Sequence, residues 1–198
     1  MTVGVVKIGV GNTASVIFAL ERLGAKSVLT DDPRIIGECD RVILPGVGAA
    51  GFAMRALAET GLSRALIAFQ RPLLGICLGQ QMLFDSSEEG DATGLGVFEG
   101  RVRKLPQNRQ TPAPHVGWTR LIKSKPTPMF EGVTDGAYVY FVHSYLCPLS
   151  EDTTAISNYG EDFSAAVAQG AIWGCQFHPE RSGAAGARIL ANFLAAPC

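Results

Sequence analysis

Residues 72–81 read PLLGICLGQQ, an apolar run that passes into a glycine–x–cysteine–x–glycine segment. The apolar run is typical of a strand buried in a parallel sheet, and residues 80–84 after it have helical character. A strand that turns sharply into a helix at a nucleophilic residue, with small residues packed around the turn, is a nucleophile elbow. This stretch therefore predicts an α/β fold with Cys77 at the carboxyl end of a central strand.

The position of Cys77 favours a reactive thiol. At a helix N-terminus, free backbone N–H groups and the helix dipole stabilise a thiolate. The backbone amide of Leu78 would point to the place where a tetrahedral oxyanion forms. The alternative is a small buried apolar residue in a glycine-rich turn, which is the usual state of a free cysteine. The chain has five cysteines, and neither a disulfide framework nor a zinc site follows from their spacing, at positions 39, 77, 147, 175 and 198.

The chain before this stretch alternates strand-like and helical segments. Asp32 and Pro33 predict a helix that begins with an N-cap and a proline at its first position. Two further short helices are expected on either side of Gly61. A helix from residues 11–13 to Gly24 is predicted by apolar residues at helical spacing, which are Val16, Leu20 and Leu23. The strand-like runs are 3–10, 27–30 and 42–44.

The second half of the chain is richer in strands. Gln169 and Gly170 predict a hairpin turn between the last two strands, and a closing helix is expected over residues 186–194. A polar loop is expected over 106–114. The strand-like runs are 101–105, 115–121, 138–145, 154–157, 163–168 and 171–177. Together the two halves predict one α/β domain over residues 1–198, with a mixed, mostly parallel sheet flanked by helices and an antiparallel extension.

Composition narrows the functional classes. The chain has 198 residues, of which 47% are hydrophobic, which is enough for one substantial core. The net charge of −1 gives no basic surface for nucleic acid. The first residues, MTVGV, run directly into a strand-like stretch without the features of a signal peptide, and no apolar run reaches the length of a membrane span. A cytoplasmic protein is expected.

A thiolate chemistry needs a base, and the chain offers three histidines, at positions 115, 143 and 178. Only His178 has a carboxylate at a useful spacing, in the segment GCQFHPE over residues 174–180. Pro179 favours extended backbone at His178, so Glu180, two residues on, can reach the imidazole. A carboxylate there would fix the tautomer and stabilise the imidazolium. The alternative for any single histidine is a structural role in the core.

The segments 72–81 and 177–180 together resemble the signature of the class I, or triad, glutamine amidotransferases. The resemblance covers essentially the whole chain and implies the class I glutamine amidotransferase-like fold. It implies Cys77 as the nucleophile, His178 as the general base and acid, and Glu180 as the residue that orients the imidazole. Glutamine would be attacked at its side-chain amide, which releases ammonia and leaves a glutamyl thioester for water to resolve. No cofactor and no metal are implied.

The same resemblance assigns an oxyanion turn and a substrate pocket. The segment LPGVG over residues 44–48 is similar to the family's oxyanion strand turn, and it implies that the amide of Val47 joins that of Leu78. An ordinary glycine turn is the alternative. Gln81 matches the family's substrate-contacting glutamine, although a solvent-facing helix residue is the alternative reading. The full set assigned to the glutamine pocket is Gly48, Gln81, Ser144 and Tyr145.

Three further segments are similar to the glutaminase subunits of imidazole glycerol phosphate synthases: 9–16, the Gly-Trp pair at 117–118, and FVHSY at 141–145. This narrower resemblance implies a heterodimer with a (β/α)₈-barrel cyclase subunit in histidine biosynthesis. The residues expected near that partner are Asn12, Trp118 and Arg181. Ala14 stands where a dinucleotide-binding loop needs its third glycine, which excludes a nucleotide-binding interpretation.

The chain departs from this pattern at several positions. Lys7 and Ile8 stand where the family usually has Asp and Tyr, Val116 and Thr119 where Met and Asn are commoner, and Arg181 where Lys is usual. None touches the three predicted catalytic residues. Three alternatives stay open: a cysteine hydrolase that acts on esters, a non-catalytic binding module, and the glutaminase of an anthranilate or aminodeoxychorismate synthase.

Overall fold

The computed structural model describes residues 1–9, 13–46, 48–109 and 111–197. Its strands are β1 (Thr2–Val6), β2 (Lys26–Thr30), β3 (Arg41–Gly46), β4 (Leu73–Cys77), β5 (Phe84–Ser87), β6 (Ala92–Thr93), β7 (Phe98–Lys104), β8 (His115–Arg120), β9 (Ile122–Lys123), β10 (Tyr138–His143), β11 (Tyr145–Leu146), β12 (Thr153–Asn158), β13 (Asp162–Gln169) and β14 (Ile172–Cys175). Its helices are α1 (Thr13–Arg22), α2 (Pro33–Glu38), α3 (Ala50–Glu59), α4 (Leu62–Ile67), α5 (Leu78–Met82) and α6 (Gly183–Ala195). Short 3₁₀ turns cover Glu89–Asp91, Pro128–Phe130 and Pro179–Arg181.

One large mixed sheet organises the molecule, in the strand order β2-β1-β3-β4-β14-β13-β12-β9. The neighbours from β2 to β14 pair in parallel. The neighbours from β14 to β9 pair antiparallel. The predicted fold class, a mostly parallel sheet with an antiparallel extension, is therefore confirmed.

Hydrophobic cores lie on both faces of this sheet. Along β3, Ile43 belongs to one core, whereas Val42 and Leu44 belong to the other, because successive side chains of a strand point to opposite faces. Helices α1 and α6 contribute to the first core, and α2, α3 and α4 to the second. The central strand β4 is buried along its whole length, as the apolar run in the sequence predicts.

Two smaller sheets lie beside the main one. Strand β10 pairs with β8, and a second sheet has the order β11-β7-β5-β6. The run 138–145, predicted as one strand, is divided at Ser144, because β10 pairs with β8 and β11 pairs with β7. The predicted helix over 80–84 ends at Met82, and Phe84 opens β5, which pairs with the distant strand β7.

The helix start predicted at Asp32 and Pro33 is confirmed, whereas the predicted ends of the first strand and the first helix differ from those in the structure. Asp32 caps α2 by accepting a hydrogen bond from the Arg34 N–H at 2.8 Å, with Pro33 at the first position, as predicted. Strand β1 ends at Val6 rather than at residue 10, because its pairing with β2 stops there and Gly9 adopts a φ of +48°. Leu23 lies beyond the end of α1 and is partly exposed instead of joining the core.

Within the described ranges, no helix combines the length and apolar character that crossing a bilayer requires.

Candidate active site

Cys77 lies at the tip of the predicted strand-to-helix turn, between β4 and α5. Its backbone has φ 55° and ψ −111°, a strained conformation for a residue other than glycine. The flanking glycines are required by packing. A Cβ atom on Gly79 would lie 1.7 Å from the Leu44 carbonyl oxygen, and one on Gly75 would lie 2.8 Å from the Gln80 nitrogen. The turn therefore depends on close approach of β3, β4 and α5.

The turn also aims an amide at the reaction centre. Leu78 is the first residue of α5, and its N–H belongs to the group at a helix start that has no acceptor within the helix. This amide is next to the Cys77 thiol, which is where a developing oxyanion needs a donor. The second predicted donor, the amide of Val47, lies outside the described residues.

His178 reaches the thiol because of the sheet order. Strands β4 and β14 are parallel neighbours, so their carboxyl ends meet at one edge, and His178 follows β14. Its backbone is extended, with φ −99° and ψ 96°, and Pro179 begins a 3₁₀ turn that brings Glu180 back to the ring. The His178 Nδ1–H donates to Glu180 Oε1 at 2.8 Å, with side chains only 8% and 2% exposed. The ring orientation predicted from the His-Pro-Glu spacing is present.

Electrostatics favour a protonated imidazole at this position. Burial alone would lower the pKa of His178, but hydrogen bonding to the Cys77 and Glu180 side chains outweighs burial and raises the pKa to about 10. The Nε2 atom of His178 has no fully formed hydrogen bond to any described residue. Cys77 is close enough to influence the ring, and the loose geometry is common in catalytic pairs before substrate binds. The arrangement therefore places a protonated imidazole beside the nucleophile.

Ser182 holds the histidine segment in place, a role that the sequence did not reveal. Its hydroxyl donates to the His178 carbonyl at 2.7 Å and accepts from the Tyr140 N–H at 3.0 Å. The His178 N–H in turn donates to the Tyr140 carbonyl at 2.9 Å. Two hydrogen bonds thus join strand β10 to the His178 segment, and a third, within the segment, links Ser182 to His178, which fixes the imidazole relative to the sheet.

A cavity of about 260 Å³ opens beside the thiol. This volume is near the lower end of the ~300–1,000 Å³ of pockets for drug-sized ligands, so it suits a small polar molecule. The lining residues are Gly48, Cys77, Leu78, Gln81, Glu89, Pro114, Val142, His143, Ser144 and Tyr145. All four residues assigned to a glutamine pocket from the sequence lie in this lining, together with the predicted nucleophile.

Gln81 is buried, so the alternative reading of a solvent-facing helix residue is wrong. Its Nε2 donates to the Tyr145 carbonyl at 2.9 Å and to Gln176 Oε1 at 3.0 Å. The Nε2 of Gln176 lies 3.8 Å from the Cys77 sulfur. Ser144 and Tyr145, at the break between β10 and β11, line the cavity. Gln81 and Tyr145 are therefore connected to the nucleophile through Gln176.

Glu89 is a lining residue that the sequence analysis missed. It opens the 3₁₀ turn after β5, and its Oε2 accepts from the Ala50 N–H at 2.7 Å. Among the described residues of the lining it is the one that carries a negative charge. Its position depends on β5 pairing with β7, a non-local contact that local sequence patterns do not signal.

Trp118 and Arg181, two of the residues predicted near a partner, are not among the residues that line the cavity. Trp118 on β8 is 53% exposed, and its ring lies edge-on to Tyr140 at 5.9 Å between centroids. Arg181 lies exposed on the 3₁₀ turn that carries Glu180. Asn12 is outside the described residues. The outer face of the β8–β10 pair also exposes Val116, Tyr138 and Val142. We call these three side chains together with Trp118 the hairpin face.

Comparison with known proteins identifies the family. The model of the class I glutamine amidotransferase family matches residues 5–196, and the chain belongs to that family. It is 48% identical to the imidazole glycerol phosphate synthase subunit HisH of Xylella fastidiosa, over 97% of this chain and 96% of that protein. The HisH subunit of Yersinia pseudotuberculosis is 43% identical, over 98% and 99%. Within the family, the chain therefore groups with the HisH subunits.

Solved structures share the fold at lower identity. A glutamine amidotransferase crystal structure superposes with a TM-score of 0.75 at 22% identity, covering 98% of this chain and 97% of that one. The structure of PurLQS from Thermotoga maritima gives a TM-score of 0.71 at 19% identity, with coverage of 98% and 97%. These likenesses support the fold assignment.

Proposed function

We propose that this chain is the glutaminase subunit of an imidazole glycerol phosphate synthase, and that it hydrolyses L-glutamine to L-glutamate and ammonia in histidine biosynthesis. The observation that carries the proposal is that the Cys77 thiol lines one small cavity and interacts with the imidazole of His178, which Glu180 orients. The sequence similarity to HisH subunits over nearly the whole chain supports the choice of reaction.

In the first half of the reaction, the Cys77 thiolate attacks the side-chain amide carbon of glutamine. The tetrahedral oxyanion is stabilised by the Leu78 N–H, and we expect a second donor from the adjoining segment at Val47. The protonated His178 gives its proton to the leaving nitrogen, so the C–N bond breaks and ammonia departs. Cys77 then carries a glutamyl thioester.

In the second half, His178 acts in the opposite direction. Its neutral Nε2 takes a proton from water, which attacks the thioester carbonyl, and glutamate leaves as the thiolate is restored. Glu180 accepts the Nδ1–H throughout and keeps Nε2 directed at the reacting atoms. The Glu180 side chain supports the imidazolium each time it forms.

The cavity lining matches the charges of glutamine. The α-ammonium group needs a negative partner. The Glu89 carboxylate supplies one in the cavity lining, beside the first residue of α3, Ala50. The bend at Ser144 presents backbone amides and carbonyls, and Gln81 lies on the neighbouring wall. We expect these residues to hold the amino-acid end of the substrate while its amide faces Cys77.

We further propose that the chain works as one domain in the cytoplasm, in a heterodimer with a (β/α)₈-barrel cyclase. Ammonia released into neutral water is protonated and loses its nucleophilicity, so a closed route to a second active site is needed. That site would convert a phosphoribulosyl-formimino-carboxamide ribotide into imidazole glycerol phosphate and an aminoimidazole carboxamide ribotide. The exposed apolar hairpin face supports a partner contact near Trp118, and we expect Asn12 and Arg181 to contribute to the same interface.

The test is a titration of the cyclase subunit and its ligand into this protein while glutamate release is followed. We expect low hydrolysis by the chain alone and strong activation when the complex forms. If hydrolysis is already maximal without the cyclase and light scattering detects no complex at micromolar concentration, the partner proposal fails. If glutamine is not hydrolysed under any of these conditions, the glutaminase proposal fails.

A further inference from the structure

His115 and His143 form a buried pair beneath the hairpin face. They stand opposite each other in the β8–β10 register, and their rings lie on the inner side of the pair, at 2% and 5% exposure. The His115 Nδ1 and His143 Nε2 atoms are 3.0 Å apart. His143 lines the glutamine cavity, whereas His115 lies behind it, stacked on Tyr159 at 4.0 Å between ring centroids.

The hydrogen bonds fix one direction along this pair. The Tyr145 carbonyl can only accept, so the His143 Nδ1 at 2.8 Å carries the proton. Because both rings are neutral, the His143 Nε2 is then an acceptor, and the His115 Nδ1–H donates to it. The His115 Nε2 must accept in turn, and its partner is the Thr119 hydroxyl at 2.9 Å.

Charge considerations agree with neutral rings. Burial lowers the pKa of His115 to about 4. Burial also lowers the pKa of His143 to about 3, against the opposing effect of its hydrogen bond to the Tyr145 carbonyl. Neither ring therefore acts as the base that the thiol chemistry needs, and their buried nitrogens serve another purpose.

The chain of donors ends on an atom that the glutamine pocket also uses. The Tyr145 carbonyl accepts from His143 Nδ1 at 2.8 Å and from Gln81 Nε2 at 2.9 Å. Gln81 also donates to Gln176, whose Nε2 lies 3.8 Å from the Cys77 sulfur. The Tyr145 carbonyl, together with Gln176, thus orients the Gln81 amide at the cavity wall.

We propose that His143, His115 and Thr119 are positioning residues for glutamine binding, acting as a directed hydrogen-bond chain that holds the Tyr145 carbonyl against Gln81. Thr119 lies next to Trp118 on β8. The series of hydrogen bonds therefore begins on a strand that carries the hairpin face and ends at the pocket. The identity of the ligand as glutamine rests on the proposed function. We expect this hydrogen-bond network to affect substrate affinity rather than the covalent steps, because it ends on the Tyr145 carbonyl and Gln81 and not on Cys77.

The first test is independent of activity. In the full-length protein with ¹⁵N-labelled histidine, nitrogen chemical shifts report the tautomer of each ring. Both His115 and His143 should be Nδ1–H tautomers with an unprotonated Nε2, and should remain so between about pH 6 and 8. Assignment uses the single variants His115→Gln and His143→Gln. A neutral Nε2–H form of either ring, or an imidazolium near neutral pH, would overturn the proposal.

The second test separates affinity from turnover. Thr119→Val removes the donor to His115 with little change in shape, and should raise the glutamine KM about three- to tenfold, as expected for one neutral hydrogen bond. The turnover number should stay within about twofold. Thr119→Ser keeps the hydroxyl and should restore most of the lost affinity.

The matched control is Ser157→Ala. Ser157 is buried, and its hydroxyl donates to the carbonyl of Arg120, the residue after Thr119, at 2.6 Å, so this hydroxyl lies outside the hydrogen bonds that connect Thr119, His115 and His143. It should lose stability without a change in KM. If the wild-type protein hydrolyses glutamine and the Thr119→Val and Ser157→Ala variants have the same KM, the inference fails. If the wild-type protein does not hydrolyse glutamine, the proposed function fails instead, and the tautomers still test the chain.

Discussion

Cys77 has a chemical environment that the other buried cysteines lack. Burial raises the pKa of the Cys147 and Cys175 thiols well above the usual value, so those groups stay protonated. Of the four cysteines that the structure describes, Cys77 is the one that combines the elbow backbone, a helix start and a neighbouring imidazole. Cys77→Ala should abolish glutamine hydrolysis, whereas Cys147→Ala should retain it with at most a loss of stability.

Covalent labelling provides a second measurement at the same residue. A diazo-ketone analogue of glutamine should modify Cys77 alone, as read by mass spectrometry of peptides. Modification that persists in the Cys77→Ala variant, or substantial turnover by that variant, would contradict the assignment.

His178 and Glu180 should differ in the size of their effects. His178→Asn removes the proton carrier and should lower the turnover number by ~10²–10⁴-fold, the usual contribution of general acid–base catalysis. Glu180→Gln should lower it less, because the imidazole keeps its place but loses the support of a charge. His115→Asn is the control, with a nearly unchanged turnover number. A His115 variant as inactive as the His178 variant would show that the wrong base was chosen.

Acid stability should report the buried histidine pair. Both rings have a pKa below the unfolded value of about 6.5, so the native state binds fewer protons than the unfolded state as the pH falls below it. The stability they contribute is fully present above about pH 6.5 and is lost as the pH falls toward 4, on the order of 2–3 kcal/mol per ring. The free energy of unfolding, measured by urea titration, should fall more steeply over this window in the wild type than in His115→Gln/His143→Gln. Equal slopes in the two proteins would show that the native state does not lower the pKa values of these two rings.

At the scale of elements, local signals were sufficient for the nucleophile turn. The glycines, the apolar run and the helix after it are consecutive in sequence, so residues 72–81 predict β4, the elbow and the start of α5. The His178–Glu180 contact was also accessible, because it depends on one proline and a spacing of two. What escaped prediction depends on distant pairing. Glu89 reaches the cavity only through β5, whose sequence FDSS has little strand character and which is held by β7. The break at Ser144 likewise arises because two different strands compete for one run.

Packing at the elbow gives a stability prediction. Gly79→Ala would place a Cβ within 1.7 Å of the Leu44 carbonyl, a backbone atom that cannot rotate away. We expect a loss of more than ~3 kcal/mol in the free energy of unfolding, since overpacking of this kind exceeds the usual ~1–3 kcal/mol. Gly37→Ala in α2 is the control, because its Cβ meets nothing within 4 Å and its backbone is ordinary. It should be stabilised by ~0.5–1 kcal/mol, and similar unfolding curves for the two variants would refute the packing argument.

At the scale of the whole molecule, the hairpin face should decide assembly. Trp118→Ala should weaken binding of the cyclase by ~2 kcal/mol or more, roughly 30-fold in Kd, since buried tryptophans are common binding hot spots. Ile67→Ala is the control: Ile67 is 54% exposed at the end of α4, by the start of β4 and therefore at the opposite edge of the sheet from the cavity. Calorimetry should show unchanged affinity for that variant. Equal affinities for both would remove Trp118 from the proposed interface.

The placement of β14 has a consequence for how the protein comes into being. This strand enters the chain late, yet it lies in the middle of the main sheet, between β4 and β13, where Gly174 pairs with Gly75. A nascent chain that has emerged only as far as β13 holds two separate blocks of strands and a thiol without its base. Such long-range pairing is slow to form compared with local structure. Under the proposed function, an unfinished chain cannot consume glutamine. The time at which Cys77 becomes reactive during refolding would therefore report when β14 inserts into the sheet.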